Sequence, residues 1–284
     1  MGLKDILVHL DATERALVRL DLAIDLARTH EARLTGLYVV DLTPPAMALG
    51  AEGVGGGVAV AAVFEKMRQD ALAEAAEVET VFRERLRLEN VSGSWSLMEG
   101  ITSAEVAART RYSDLAILGQ VDPDGDAPGP GATVEETLFS SGRPVIVVPF
   151  AGRFPTVGRN VIVGWTPSRE AARALNDALP ILARAESNSV VTVETDPRAQ
   201  LPLEATPANA AAAHLDRHEI GAAVERLVAA EISVGDALLN HATDKSADLL
   251  VVGAYSHSRL REIVLGGVTR TLLRQMTLPV LMSH

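Results

Sequence analysis

DLLVVGAYSHSRLREIVLGGVT, residues 248–269, opens with an unbroken apolar run, Leu249 to Val252, that Gly253 closes. Such a run reads as a strand buried on both faces, as in a parallel sheet. A polar loop follows from Ala254, and Gly266-Gly267-Val268-Thr269 opens a helix running to about Met276. Glycine after a strand lets a backbone approach closely, because no Cβ stands in the way. The first N–H groups of a helix lack partners within it, and the helix dipole there favours negative charge. Strand, loop, glycine pair and helix start therefore predict a phosphate site. Neither a Walker loop nor a GxGxxG fingerprint is present. His257, Arg259 and Arg261 add cationic character, with no carboxylate between Gly253 and Glu262.

Working outward, the chain proves to be one unit written twice. Ile6-Leu7-Val8 matches Val161-Ile162-Val163, Asp114 to Gly119 matches Asp248 to Gly253, and Arg143 to Val147 matches Leu278 to Met282. Val8 stands 155 positions before Val163, and Gly119 stands 134 before Gly253. The first half thus carries about 21 extra residues, placed by their Pro, Gly and Ala content in a loop over 43–62. The expected domains are residues 1–150 and 158–284, with 151–157 as linker.

In the first domain, strands are expected over 4–11, 34–41, 94–98, 115–119 and 144–149. Helices are expected over 12–30, 64–88, 103–111 and 134–140. Leu17, Leu20, Leu22, Ile24 and Leu26 supply the apolar face of the first helix. In the second, strands over 161–163, 190–195 and 249–252, a weak strand over 222–228 and a last strand over 279–283 alternate with helices over 168–183, 206–219 and 234–243. This alternation predicts parallel α/β sheets with helices on both faces.

The 284 residues suffice for two such domains, and 48% hydrophobic content suffices for their cores. A net charge of −11 disfavours nucleic acid and anionic membranes as partners. Without cysteine, disulfides and thiol chemistry are excluded. The N-terminus lacks the apolar core of a signal peptide, and the weakly polar stretch 47–64 is too glycine-rich to span a bilayer well. A cytoplasmic protein is expected. His214 and His218 share a helix face without a third metal ligand in view, so no metal site is assigned.

The glycine spacing resembles that of the universal stress protein family, UspA-like members included. Nucleotide-binding members carry Gly, two residues, Gly, nine residues, Gly, then Ser or Thr. Here Gly253 is followed by Ala254-Tyr255, then Ser256 in the place of glycine, nine residues, Gly266, and Gly267 where Ser or Thr is usual. The resemblance implies a tandem member. Its fold would be two doubly wound, open, parallel five-stranded sheets, Rossmann-like and of the adenine nucleotide alpha hydrolase-like type. They would pack about a pseudo-two-fold axis, with the last strands pairing antiparallel. The first and fourth strands would meet where strand order reverses, and ligands bind beyond their carboxyl ends.

The implied ligand is ATP or another adenine nucleotide, with Mg only in company with ATP. In the second domain the implied positions are Val163, Thr166, Val193, Gly253, Ser256, His257, Gly266, Gly267, Val268 and Thr269. Thr166 stands where relatives carry Asp, and it equally suits a helix cap. Trp165 suits stacking on a purine or packing on the sheet. In the first domain Asp11 and Val39 match the base positions, and Asp11 equally suits a cap or strand-end turn. There the loop departs: Asp122 replaces glycine, eight residues precede Gly131, Ala132 replaces Ser/Thr, and Asp124 and Asp126 add like charge. That loop is expected to reject ATP.

The expected function is a stress-response module that binds or signals with an adenine nucleotide. The alternatives are a ligand-free member acting through protein contacts and a slow hydrolase. No carboxylate–His pair stands at the loop to activate water, so no catalytic residue is assigned. An intrachain pseudo-dimer is expected, and association of two chains or with other proteins is left open.

Overall fold

The computed structural model describes residues 2–43, 56–121, 130–196, 206–255 and 267–284. The first half runs β1 (Asp5–His9), α1 (Glu14–His30), β2 (Arg33–Val40), α2 (Gly56–Leu88), β3 (Gly93–Glu99), α3 (Thr102–Thr110), β4 (Leu115–Gly119), α4 (Pro130–Ser140) and β5 (Val145–Val148). The second runs β6 (Asn160–Gly164), α5 (Arg169–Leu182), β7 (Ser187–Glu194), α6 (Pro207–Asp216), β8 (Ala223–Val228), α7 (Val234–Asp244), β9 (Leu249–Gly253), α8 (Gly267–Gln275) and β10 (Val280–Ser283).

The strands form a single sheet in the order β3-β2-β1-β4-β5-β10-β9-β6-β7-β8. Each half is parallel throughout, with β1 lying between β2 and β4, and β6 between β7 and β9. The seam is the antiparallel pair β5–β10, in which Leu281 faces Ile146. These two residues are each other's counterparts in the repeat, so the pseudo-two-fold axis passes through their pairing. Each half thereby closes an edge that would otherwise expose unpaired backbone groups.

Side chains alternate across the strands with period two. Ile6, Val8, Leu115, Ile117, Val161, Val163, Leu249 and Val251 face a core that includes α1 and α5. Leu7, Ala116, Leu118, Ile162, Leu250 and Val252 face the opposite core, with Leu138 of α4, Leu238 of α7 and Leu272 of α8. Full burial on both faces explains the near-continuous apolar runs of the central strands.

The sheet also accounts for Asp114 and Asp248, the acidic residue shared by both repeats. The Asp114 carboxylate accepts the backbone N–H groups of Lys4 and Asp5 at 2.7 and 3.1 Å. Asp248 accepts those of Gly158 and Asn160, both at 3.0 Å. Both therefore cap the amino ends of the first strands, on the edge away from the carboxyl-end crevices.

Two expectations need correction, and the weak strand expected over 222–228 is present as β8. Of the expected loop 43–62, residues 56–62 belong to α2, and 44–55 lie outside the described residues. Ala59, Ala61 and Ala62 are strong helix formers, and extending a helix is far easier than starting one. Leu17 is 41% exposed rather than part of the apolar face of α1, which Ala16, Leu20, Ala23 and Ala27 carry. The strand β8 tolerates Glu225 because it is an edge strand, where Lys245 Nζ at 2.9 Å and the Ser189 hydroxyl at 2.9 Å partner the carboxylate. Among the described residues, no helix is long and apolar enough to cross a membrane.

Candidate functional site

Strand order reverses between β1 and β4 in the first half, and between β6 and β9 in the second. The crevices beyond the carboxyl ends of those pairs are the ligand positions of an open α/β sheet.

In the first half, this crevice is taken up by the protein's own side chains. Arg19 of α1 pairs with the Asp11 carboxylate and donates from Nε to the His9 carbonyl at 3.1 Å. The Arg19 side chain is 6% exposed and that of Asp11 38%. A Cβ at Gly119 would collide with the Arg19 guanidinium, so this glycine makes room for an internal cation. Asp11 also accepts the Thr13 N–H at 2.9 Å and the Thr13 hydroxyl, forming the turn that enters α1. Burial pushes the Asp11 carboxyl up, but the Arg19 guanidinium and the Thr13 hydrogen bonds together hold it below the usual carboxylate range. Val39 is buried in the core. Residues 122–129, with their three aspartates, lie outside the described residues.

The second half builds its crevice from different residues at the same places. Counting by the repeat, Thr166 replaces Asp11, Ser168 replaces Thr13 and Ala174 replaces Arg19. Thr166 is exposed, and its carbonyl accepts the Ser168 N–H at 2.7 Å. The cap of α5 is Ser168, whose hydroxyl accepts from Ala171 at 3.2 Å. Thr166 is therefore not the cap.

Val163 is a core residue, and Val193 is partly buried near the end of β7. Trp165 packs against the core, yet its Nε1–H is buried without a hydrogen-bond partner. Thr192 Oγ1, one residue before Val193, is likewise buried and unpartnered. Both groups stand at the carboxyl ends of β6 and β7. Unpaired buried polar groups are uncommon, and Arg15 Nε, His30 Nδ1 and Trp95 Nε1 are further examples in the first half.

Gly253 ends β9, but the closeness it permits is internal. A Cβ there would collide with the backbone of Glu170 and Ala171, the first turn of α5. The following loop starts under tight control. Ala254 donates to the Ser283 carbonyl at 2.8 Å, and Tyr255 N–H donates to Thr269 Oγ1 at 3.2 Å. Tyr255 holds a left-handed φ of 64°. Thr269 is 3% exposed and thus serves the loop's own backbone. Gly267 is exposed with open space around it, Val268 is partly buried, and the first turn of α8 carries no acidic residue. Ser256, His257 and Gly266 lie outside the described residues.

The structure thus gathers Thr166, Val193, Gly253 and Gly267–Thr269 at one edge of the sheet. The sequence reading missed Arg19, whose signal was a lone cation within the buried stripe of α1. A charge at such a spacing requires an internal partner. It also missed Tyr255, which meets Phe139 of α4 with ring centroids 4.5 Å apart.

Comparison with known proteins agrees with this architecture. Residues 158–284 match the model of the Universal stress protein family. A universal stress protein of Synechocystis sp. is 41% identical over 54 residues, 18% of this chain and 19% of that protein. The chain therefore matches about a fifth of the length of that curated relative. Among solved structures, a universal stress protein from Archaeoglobus fulgidus DSM 4304 is similar over 98% of this chain and 97% of its own, with a TM-score of 0.67 at 14% identity. A functionally unknown protein from Pseudomonas aeruginosa PAO1 is similar over 99% and 92%, with a TM-score of 0.58 at 15% identity. At these identities the structural likeness is one of fold. The family match thus covers the second half, residues 158–284, while the fold is shared along the whole length of the chain.

Proposed function

We propose that this protein is a stress-response binding module whose second half takes an adenine nucleotide, ATP foremost, and whose first half takes none. The observation that carries this reading is the contrast at one repeat position. Arg19 fills the first crevice and satisfies Asp11. At the same position the second half carries Ala174 in place of the cation, and the Trp165 and Thr192 polar atoms remain unpaired nearby. Thr166, Val193 and Trp165 would meet the base and ribose, and the start of α8 would meet the phosphates through backbone N–H groups. Mg would enter only with the triphosphate. We place this activity in the cytoplasm, with the pseudo-dimer contained within one chain.

A ligand-free role through protein contacts is the competing reading. The internal engagement of Gly253 and Thr269 favours it.

Calorimetric titration with ATP separates the two readings, with Gly267→Asp as the control. The new side chain has open space, and an acidic residue in the first turn of a helix supports its fold. The same charge would oppose a phosphate, so the variant should stay folded and lose at least about tenfold in affinity. Absence of heat from the wild-type protein at millimolar ATP would overturn the nucleotide reading.

A further inference from the structure

We infer that Phe139, a residue of the first half, is a positioning residue for Ala254 and Tyr255, the backbone just past β9 in the second. The inference rests on the reading above, that the crevice beyond the carboxyl ends of β6 and β9 takes an adenine nucleotide. It begins with Tyr255, two residues past Gly253, whose φ of 64° is a conformation non-glycine residues hold only when the surroundings impose it. Three contacts come from its own half. The Tyr255 N–H is held by Thr269, the Ala254 N–H by the Ser283 carbonyl, and the Ala254 carbonyl lies 3.2 Å from His284 Nδ1.

The remaining support comes from across the seam. The Phe139 ring meets Tyr255 at 4.5 Å, tilted by 42°, and His284 stands edge-on to Phe139 at 4.6 Å. Tyr255 is 6% exposed, so this aromatic contact shuts its ring from water. Glu135 lies one turn before Phe139 on the same face of α4. Burial first, and Glu135 second, push the Tyr255 hydroxyl up. Phe139 itself is 49% exposed, so it contributes little to the core of its own half.

The pseudo-two-fold axis supplies a counterpart. Gln120 holds the place of Ala254 in the first half, and Leu273 stands one residue before the counterpart of Phe139, Arg274, in the second. Gln120 donates its amide to the Leu273 carbonyl at 3.0 Å and accepts the Phe150 N–H at 2.8 Å. In each half, then, the residues just past the fourth strand are gripped by the last helix of the other half. The seam tethers the first crevice by hydrogen bonds and the second by aromatic rings.

The test compares Phe139→Ala and Phe139→Tyr with the wild-type full-length chain. Hydrogen exchange is read over Gly253–Tyr255, and ATP affinity by calorimetry. The alanine variant should exchange about tenfold faster at Ala254 and Tyr255 and bind ATP about tenfold more weakly, with its urea midpoint little changed. The tyrosine variant, which keeps a ring, should restore both. Unchanged exchange in the alanine variant overturns the role of Phe139, as does an ATP affinity within twofold of wild type. Should the wild type bind no ATP, the nucleotide reading falls alone. The exchange comparison needs no nucleotide and still decides whether Phe139 holds the loop.

Discussion

At the carboxyl end of β1, a buried Arg19 is locked to Asp11 beneath Gly119. At the matching end of β6, Ala174 stands behind an exposed Thr166, and Gly253 lies against the first turn of α5. The backbone path is the same in both halves and the glycine is shared, yet its purpose differs. In the first half it accommodates a side chain, and in the second a helix. One repeated framework therefore yields a crevice filled by an internal ion pair and a crevice that lacks that pair. The lesson is that a glycine shared by two repeats reports the need for room, and only its neighbours say what fills it.

The comparison is sharpened most strongly by acid. Burial, then the Arg19 cation, push the His9 imidazole down to about 4 against an opposing pull from Asp11. Burial, then Arg184, do the same for His30. Both histidines belong to the first half, and the matching positions in the second are Gly164 and Ala185. The unfolded chain takes up these protons near pH 6.5 while the folded chain resists them. The unfolded state thus binds more protons between about pH 6.5 and 4, and stability is lost as pH falls through that window. Asp11, held below its usual range, contributes stability that is lost in the same direction at still lower pH. Urea unfolding at pH 7 and pH 4.5 should differ by up to about 3 kcal/mol for each imidazole. The double variant His9→Gln with His30→Gln should flatten that difference. An unchanged slope would mean that the halves do not differ in this way.

The glycines come next. Gly253→Ala forces a Cβ into helix backbone, which can yield only by moving α5, and should cost about 3 kcal/mol. Gly119→Ala meets the far end of the Arg19 side chain and should cost nearer ~1 kcal/mol. Equal shifts in urea midpoint would erase the distinction drawn between the two. Arg19→Ala removes one partner of the ion pair. The loss should be about 2 kcal/mol, below that of a fully buried pair because Asp11 keeps 38% exposure. The same variant should gain no second nucleotide, since the aspartates at 122, 124 and 126 remain. A gain would show that Arg19 alone separates the halves.

Much of the fold was legible because the central strands are buried on both faces and write themselves as apolar runs. Val251 and Ile117 announce a parallel interior whichever way the chain turns next. The seam was legible only through the family resemblance, since nothing in Ile146 or Leu281 names its partner. The start of α2 was misread because glycines suggest a loop, while the alanines just beyond them propagate a helix. The candidate site was legible as positions and not as contacts. Thr269 looked like a phosphate ligand, and its hydroxyl also accepts the Tyr255 N–H, a contact no spacing announces. Arg19 and Phe139 act across distances of sequence that spacing cannot register, one across its helix to the end of β1 and the other across the seam.

The most direct test of the contrast is to saturate the purified chain with ATP, remove free ligand, and quantify the adenine nucleotide released on denaturation per mole of chain. One nucleotide per chain, lost in Gly267→Asp and retained in Asp11→Asn, is the predicted result. Two per chain, or one that is lost in Asp11→Asn and kept in Gly267→Asp, would contradict the account, and none at all would place both crevices among contacts the protein makes only with itself.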